Sequence, residues 1–441
     1  MKGILMPAPW VLFQGTRLHL PAFAAQAILL LVGLQLPVIG YCDSGNGWFK
    51  NLFESKGKNM KELALTREVI IRDESGSSPE PQVISRAGDG GFIIAGSLGR
   101  AWAIKTDAAG KVLWRNLQDK PLTGGGYATA FTGAVAMPDG STYLCGNTTG
   151  HPGKDYAPAL LTHLDAAGQL LGEQFFLPQK RLEHGISYFD GCLRWGDGMM
   201  IVGHISQYNN IKEFGKNQEH YYWLLMLDSA GKVKWEKRLP TAFDTIDGIQ
   251  SILVASDSSL VFAGRRSYET ELFRISANGD LISKKSLAGV FQFVRPIVPD
   301  EMLQIYGFVE PKGDDTLFAM ITLNEQLEEI HRTQGKQASN FSINLVYRMP
   351  DQSLAMFGRA IHSMGEQYAS GIAHVDPTLQ SSQKLELAHA PFYDGGSIDA
   401  ATPTGNVGEF LTARKLLEHQ PNEGRIGLAP VGIALDFIQV K

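Results

Sequence analysis

The sequence contains few of the features that are typical of enzymes. In 441 residues it has only three cysteines, and charged residues make up 19% of the composition. It contains no His-Glu-x-x-His, no Cys-x-x-Cys, no phosphate-binding glycine loop and no Gly-x-Ser-x-Gly elbow. These absences exclude the common motifs of metalloproteases, redox proteins, nucleotide-binding proteins and serine hydrolases. The sequence therefore predicts no catalytic residue, no metal ligand and no cofactor.

The chain also lacks an excess of basic residues. Its 40 Lys and Arg residues and 45 Asp and Glu residues give a formal net charge of −5. Proteins that bind nucleic acid need a basic surface, because the phosphate backbone supplies most of their affinity. The charge balance therefore excludes nucleic acid as the expected partner.

Charge is absent altogether from residues 22–41, an apolar segment preceded by the basic residues Lys2 and Arg17. This pattern predicts an export signal or a single membrane anchor within residues 1–41. Basic residues before an apolar segment place that end in the cytoplasm and the body of the protein outside it. The expected location is therefore the periplasm or another extracytoplasmic space, with the protein attached to a membrane.

The end of this segment, Ile39-Gly40-Tyr41-Cys42, resembles a bacterial lipoprotein cleavage site. The resemblance implies that Cys42 becomes the lipidated first residue, whereas an uncleaved N-terminal helix is the alternative form of anchoring. Residues 42–59 are rich in Gly, Lys and Asn, which is typical of a flexible tether. Residues 60–441 remain as the body of the protein.

A sequence motif of turn and strand residues repeats along residues 60–441. Self-similarity at a period of about 40–60 residues is typical of a circular or stacked repeat protein. Seven copies can be aligned, and each has a first turn between two apolar runs, as in Asp89-Gly90 and Asp139-Gly140. A glycine follows the second predicted strand in six copies, at Gly96, Gly146, Gly203, Gly264, Gly307 and Gly358. A second turn, such as Asp107–Gly110, separates the third and fourth strands.

Four antiparallel strands in each of seven copies predict an all-β fold, a seven-bladed β-propeller. The seventh copy is one strand short, whereas residues 62–71 precede the first copy and belong to none. We expect this N-terminal strand to complete the last blade, because pairing it there closes the ring and removes two open sheet edges.

The turn-and-strand phrase Asp-x-x-Gly-Lys-Val-x-Trp, at Asp107–Trp114 and Asp228–Trp235, resembles the repeats of quinoprotein-like and WD40-like bacterial propellers. Those proteins include outer-membrane assembly lipoproteins, and the resemblance implies the fold rather than the function. The chain lacks the eighth blade and the adjacent cysteine pair of the quinone-dependent dehydrogenases. The resemblance therefore does not imply a quinone cofactor.

The lengths of the connections point to one face of the predicted ring. The first and second turns are short and lie on one face, which we call the short-turn face. The connections between second and third strands lie on the opposite face, which we call the long-loop face. These connections are Asn147–Pro158, His204–Tyr221, Arg265–Thr270, Val309–Asp315, Arg359–Ser370 and Arg414–Arg425. Insertions concentrated on one face of a repeat protein usually mark the binding face.

Aromatic and polar side chains on or beside these connections are the candidates for partner binding. The candidates are Tyr156, Tyr208, Phe214, Tyr221, Tyr268, Tyr368 and His419. The alternative is that each loop folds back over its own blade.

A second pattern, aromatic residues followed by Asp, recurs where blades begin and predicts Asp190, Asp247 and Asp394 at the mouth of the central channel. Together they could form an acidic rim for a cation, a basic group or a carboxylate-based reaction. The alternative, which turn chemistry alone explains, is that they make the turns into the innermost strands.

The two remaining cysteines, Cys145 and Cys192, fall in predicted strands of neighbouring copies. A disulfide between them and two buried thiols are both compatible with these positions, and buried thiols are favoured because cysteine packs well in cores.

For function, these observations favour a non-catalytic binding protein that captures a protein partner on the long-loop face. An inhibitor or immunity-type protein that caps a toxin or secreted hydrolase fits this description, and so does an envelope scaffold. The alternative is a propeller enzyme, a hydrolase or lyase, that uses the acidic channel mouth.

Overall fold

The fold is known from a computed structural model that describes residues 63–440 with short gaps. The gaps are 73–78, 98–99, 119–127, 149–155, 178–183, 209–218, 242–245, 298–301, 310–316, 337–340, 362–367, 377–378, 380–381, 388–391, 395–397, 399, 407 and 423–424. The secondary structure of these described ranges is all β-strand. Within them, no helix has the length and apolar character needed to cross a membrane. The predicted anchor, Cys42 and the tether lie outside the described residues.

The strands form seven small antiparallel sheets in a ring, a seven-bladed β-propeller, as the repeats predict. In blades 1 to 3 the strands run in order from the inner to the outer edge of each sheet. Blade 1 contains β2 (Glu80–Arg86), β3 (Phe92–Ser97), β4 (Ala101–Thr106) and β5 (Val112–Leu117). Blade 2 contains β6 (Ala128–Ala136), β7 (Thr142–Thr148), β9 (Ala159–Leu164) and β10 (Leu170–Phe176). Blade 3 contains β11 (His184–Trp195), β12 (Gly198–Tyr208), β13 (Glu219–Leu227) and β14 (Val233–Pro240).

Blades 4 to 6 repeat this order. Blade 4 contains β15 (Gly248–Val254), β16 (Leu260–Arg266), β17 (Glu269–Ile275) and β18 (Leu281–Ala288). Blade 5 contains β19 (Val290–Phe293), β21 (Leu303–Val309), β22 (Leu317–Leu323) and β23 (Glu329–Lys336). Blade 6 contains β24 (Phe341–Arg348), β25 (Leu354–Ile361), β26 (Tyr368–Val375) and β27 (Ser382–Leu387).

Blade 7 is completed by the N-terminal strand, as predicted. Its strands are β28 (Phe392–Asp394), β29 (Ala400–Pro403), β30 (Glu409–Asn422), β31 (Arg425–Val440) and β1 (Leu63–Arg72). Strand β1 pairs antiparallel with β31, from Leu63 opposite Val440 to Arg72 opposite Gly432. The start and the end of the described chain therefore lie in one sheet, and this pairing closes the ring.

The hydrophobic core consists of seven clusters, each built by two consecutive blades. The cluster between blades 7 and 1 shows the pattern, since Phe437 of blade 7 packs beside Phe92 of blade 1 with ring centroids 6.4 Å apart. Because no blade buries its faces alone, the stability of each blade depends on both of its neighbours.

Hairpin turns on the short-turn face connect neighbouring strands of the blades. In the first turn of blade 1, Gly90 has a φ of 84° and its N–H donates to Ala87 O at 3.0 Å. Four turns, in blades 4 to 6, lack the glycine, yet Ser258, Leu327, Gln352 and Leu379 occupy the same left-handed region with φ between 60° and 68°. The turn geometry is therefore kept where the sequence signal is lost.

Basic residues of third strands hold several first turns in place. Lys105 Nζ lies 2.7 Å from Asp89 Oδ2, and Arg274 Nη2 donates to Asp257 Oδ2 at 2.8 Å. Burial raises the pKa of Asp257, but the hydrogen bonds from Ser259 and Arg274 outweigh that effect and lower the pKa to about 2. These ion pairs support the turns of the short-turn face.

The glycine that follows most second strands is required by a β-bulge in the inner strand beside it. A Cβ on Gly203 would lie 1.9 Å from Tyr188 O, and one on Gly146 would lie 2.1 Å from Ala130 O. Five inner strands carry a bulge opposite this glycine, and the bulged residues are Gln82, Thr132, Asp190, Gln250 and Asn344. The repeated glycine therefore marks close backbone approach inside the blade.

Candidate functional site

The short turns predicted from the sequence lie on one face of the ring, and the predicted connection at Arg265–Thr270 on the other face is a turn of only two residues. First turns at 87–91, 137–141, 255–259 and 349–353, and second turns at 107–111, 165–169, 228–232, 276–280 and 324–328, lie on the short-turn face. Hairpin topology places the connections between second and third strands on the long-loop face. Much of those connections lies outside the described residues.

One predicted loop of the long-loop face is a β-ribbon instead. The sequence predicts a loop at Arg414–Arg425, but β30 and β31 pair from Glu409 opposite Gln439 to Asn422 opposite Arg425, with one irregularity between Leu416 and Leu417. The short strand β28 adds to this ribbon at Leu416–Glu418. The prediction of a loop was wrong because the pairing of this segment is decided by β31 rather than by its own polar sequence. Predicted binding residue His419 lies on this ribbon, opposite Leu428.

A second connection turns inward rather than outward. Strand β8 (Tyr156–Ala157), which comes from the loop after β7, pairs parallel with β11 at Gly185 and Ile186. It lies on the inner edge of the blade 3 sheet, which borders the central channel. The loop of blade 2 therefore folds onto the next blade, and Tyr156 stands at the channel mouth.

The other predicted binding residues have separate positions on the long-loop face. Tyr268 lies in the β16–β17 turn with 49% of its surface exposed, and the hydroxyl of Tyr221 donates to Glu219 Oε2 at 2.9 Å. Tyr208 ends β12 and Tyr368 begins β26. Phe214 lies outside the described residues.

Asp190 is the bulged residue of β11 and links blade 3 to blade 4. Its Oδ2 accepts hydrogen bonds from Ile249 N at 2.9 Å and from His204 Nδ1 at 2.8 Å. Its side chain is 14% exposed and that of His204 is 11% exposed. Gly248 has a φ of 112°, and a Cβ there would lie 3.2 Å from Asp190 Oδ1. Gly248 thus allows Asp190 to approach the next inner strand.

Tyr188 stacks on the His204 ring, with centroids 4.8 Å apart and an interplanar angle of 26°. Burial, together with the charge of Asp190, raises the pKa of the Tyr188 hydroxyl. His204 thus contacts the neutral phenol of Tyr188 through its ring face and the carboxylate of Asp190 through Nδ1. The hydrogen bonds from Ile249 N and His204 Nδ1 fix the orientation of the Asp190 carboxylate within the fold.

Other bulged residues make the same connection between blades. Thr132 Oγ1 donates to Phe189 O at 2.6 Å, and Asn344 Nδ2 donates to Ile398 O at 3.3 Å. Phe189 directly precedes the next bulged residue, Asp190, and Ile398 lies between β28 and β29 of blade 7. Thr132, Asp190 and Asn344 therefore each join their own blade to the next one, a role that the sequence pattern does not predict.

The other two residues predicted at the channel mouth, Asp247 and Asp394, belong to blades 4 and 7. Asp247 Oδ2 accepts a hydrogen bond from Ser267 N at 2.6 Å, so it caps the β16–β17 turn. Asp394 lies on β28 opposite Leu416, and its side chain lies outside the described part of the structure. Asp190 and Asp247 thus each accept a hydrogen bond from a backbone N–H group.

Cys145 and Cys192 are both free thiols, buried between blades 2 and 3. The position of a Cβ on Gly133 would be 2.6 Å from Cys145 Sγ and 2.7 Å from Cys192 Sγ, so this glycine makes room for both sulfur atoms. Burial raises the pKa of the Cys145 thiol, and the contact with Cys192 adds to the effect. The structure therefore has the buried-thiol form of the two alternatives.

No group of three or more His, Cys, Asp or Glu side chains with metal-binding geometry occurs among the described residues.

Comparisons with known proteins support no statement beyond the fold. No protein-family model matches the chain, and no curated protein is similar to it in sequence. A solved structure of a protein of unknown function from Bacteroides caccae is 11% identical, covers 67% of this chain and 94% of its own, and has a TM-score of 0.36. The crystal structure of puromycin hydrolase is 12% identical and has a TM-score of 0.43. That match covers 77% of this chain and 52% of the hydrolase, so the chain matches about half of that enzyme.

Proposed function

We propose that this propeller is a non-catalytic extracytoplasmic protein that binds a protein partner on its long-loop face. The observation that carries the proposal is the difference between the two faces. The turns of the short-turn face are short and held by internal hydrogen bonds, whereas the long-loop face carries the extended connections and the β30–β31 ribbon. Function in repeat scaffolds is concentrated on the face that carries the insertions.

The scaffold suits this role because it is rigid. Seven inter-blade cores and the pairing of β1 with β31 fix the positions from which the connections project. A preorganised surface loses less entropy on binding than a flexible one. An inhibitor or immunity-type protein that caps a toxin or secreted hydrolase needs such a surface, and so does an envelope scaffold.

The direction of β1 agrees with a membrane-anchored binding protein. Leu63 lies opposite Val440, whose N–H donates to Gly408 O in a turn of the short-turn face. The chain therefore enters the ring at the short-turn face. The proposed anchor and tether precede β1 in the sequence, so neither is inserted in a connection of the long-loop face.

A propeller enzyme that uses the acidic channel mouth is the competing proposal. It is less well supported, because Asp190 and Asp247 already accept hydrogen bonds from backbone groups. Asp394→Asn tests it separately. Loss of a measurable hydrolase or lyase turnover, with an unchanged melting temperature, would favour the enzyme.

The binding proposal is tested by charge reversal on each face. The long-loop variant carries Lys212→Glu, Glu213→Lys and Lys216→Glu, three substitutions in the connection between β12 and β13. The control carries Lys111→Glu, Lys232→Glu and Asp280→Lys on the short-turn face, with the same change in net charge. Wild type is used to capture a partner from an envelope extract, and the purified partner is then titrated against all three proteins. We expect at least tenfold weaker binding by the long-loop variant alone; equal affinity of that variant and wild type would refute the proposal.

A further inference from the structure

The central channel contains a cation on its inner wall. Strand β20 (Arg295–Pro296) continues the inner strand of blade 5 and pairs parallel with β24, with Arg295 opposite Tyr347. In that sheet β20 lies inside β24, which is itself the innermost full strand of blade 6. Arg295 therefore lies closer to the axis of the ring than the inner strands of the blades do.

The guanidinium of Arg295 has only weak protein partners. Its Nη1 donates one long hydrogen bond, 3.5 Å, to the hydroxyl of Tyr347, and its Cζ is 6.0 Å from the centroid of that ring. Tyr347 in turn donates to Ala401 O at 2.7 Å. Among the described residues, no carboxylate forms an ion pair with Arg295.

Three other cations of the blades each have a carboxylate partner. Lys105 pairs with Asp89 at 2.7 Å, Lys284 with Glu271 at 2.6 Å and Arg414 with Asp436 at 2.7 Å. Burying an ionised group without a counter-charge is costly, and folded proteins usually pair such groups. A partly enclosed guanidinium without a carboxylate is therefore an exception that calls for a physical reason.

The surroundings of Arg295 would attract an anion. The hydroxyl of Tyr306 donates to Gln292 Oε1 at 3.0 Å, and Gln292 lies on the same inner strand as Arg295. Burial raises the pKa of Tyr306, which keeps this hydroxyl neutral. Arg348, opposite Pro296, adds a second guanidinium that donates to Gln304 Oε1 at 2.6 Å. The described groups around Arg295 are thus cationic or neutral, in a chain whose net charge is −5.

We infer that Arg295 is the anchor of a small-oxyanion site in the central channel, which takes a carboxylate or phosphate group. The fork of a guanidinium offers parallel N–H donors that match the two oxygen atoms of such a group. Among the described residues, the only hydrogen bond of the Arg295 guanidinium is made by Nη1, so Nε and Nη2 are available as donors to an oxyanion. This site is independent of the binding proposed for the long-loop face.

The test uses the whole protein in a buffer of low ionic strength. Inorganic phosphate, sulfate, acetate and citrate are titrated by calorimetry and by melting temperature, with sodium chloride at matched ionic strength as the salt control. We expect the melting temperature to rise saturably with at least one oxyanion. Sodium chloride at the same ionic strength should not produce this saturable rise. The ranking of phosphate against the carboxylates identifies the preferred group. The absence of saturable binding of all four anions by wild type overturns the inference.

Three variants locate the site. Arg295→Met should weaken oxyanion binding at least tenfold, and Arg295→Lys should weaken it less, because the charge stays but the fork is lost. Arg332→Met removes a cation from an exposed ion pair with Glu329 on the outer strand β23 and should bind like wild type. Equal affinity of Arg295→Lys, Arg295→Met and wild type would place the anion elsewhere and contradict the inference. If Arg295→Met does not fold, the comparison of Arg295→Lys with Arg332→Met decides.

Discussion

The guanidinium of Arg414 lies 2.6 Å from the carboxylate of Glu68, although 346 positions separate the two residues in the sequence. Arg414 also donates to Asp436 at 2.7 Å, and both side chains are almost completely buried. The three residues lie on three neighbouring strands of blade 7, with Glu68 on the N-terminal strand β1. The ring is therefore closed by an ionic contact as well as by strand pairing.

This contact predicts how ring closure responds to mutation. Arg414→Met leaves the Asp436 carboxylate buried without its cation and should lower the free energy of unfolding by about 3–5 kcal/mol. Glu68→Gln keeps an acceptor at a partly exposed position and should cost only about 1 kcal/mol. Chemical denaturation of both variants measures the difference. Deletion of residues 60–72 should unfold the whole domain, and a truncated protein with an unchanged melting temperature would show that β1 does not close the ring.

A second prediction separates a structural role of Asp190 from a catalytic one. Asp190→Ala removes the acceptor of Ile249 N and His204 Nδ1 and should destabilise the fold by about 2–3 kcal/mol. Asp247→Ala, at a carboxylate that is 41% exposed, serves as the control and should cost about 1 kcal/mol or less. Denaturation curves give both values. A stable Asp190→Ala variant that loses a measurable turnover would support the enzyme instead.

The turns and the ring closure could be predicted from the sequence because their signals are local. The turn at Asp89-Gly90 can be predicted from these two residues alone. Residues 62–71 form a predicted strand that belongs to none of the seven copies. The inward turn of β8 and the β30–β31 ribbon could not be predicted, because each depends on a partner strand. Asp190 was singled out by the aromatic residues before it, but it lies at a bulge within β11 rather than at the turn into that strand. Its hydrogen bond to blade 4 was missed because it spans 59 positions.

A signal for the bulge residues is nevertheless present in the sequence. A polar residue occurs 13–15 positions before each of the six strand-end glycines, within an otherwise apolar run. Five of them are the bulged residues Gln82, Thr132, Asp190, Gln250 and Asn344, and the sixth is Gln292, which lies in β19 without a bulge. The pattern is hard to recognise because the side chains differ. The contact between blades is made by a hydroxyl at Thr132, an amide at Asn344 and a carboxylate at Asp190.

Two glycines of the first turn give a matched test of backbone strain. Gly90 has a φ of 84°, whereas Gly88 is not in the left-handed region, and a Cβ on either would meet no atom within 4 Å. Gly90→Ala should therefore destabilise the protein by about 1–2 kcal/mol through the left-handed conformation alone. Gly88→Ala should be neutral or slightly stabilising, because it reduces the entropy of the unfolded chain. Thermal denaturation compares the two, and equal effects would contradict the assigned turn geometry.

The ion pair of the fourth blade predicts a dependence on pH. The pKa of Asp257 is lowered from 3.8 to about 2 in the folded protein, so its ionised form favours folding. Its contribution is fully present above pH 3.8 and is lost as the pH falls through about 2. Asp257→Asn should therefore be less stable than wild type at pH 7, and the difference should shrink as the pH is lowered to about 2. Denaturation at several pH values measures it, and a difference that stays constant would refute the assignment.

The most direct test of the account asks which face touches the partner. A photo-crosslinking residue is placed at Tyr268 on the long-loop face or at Leu113 beside the short-turn face, positions that are 49% and 52% exposed. Positions 156 and 208 provide two further sites on the long-loop side. After capture of the partner, the account predicts covalent adducts from the long-loop sites and none from position 113. Adducts from position 113 with none from positions 156, 208 and 268 would contradict it.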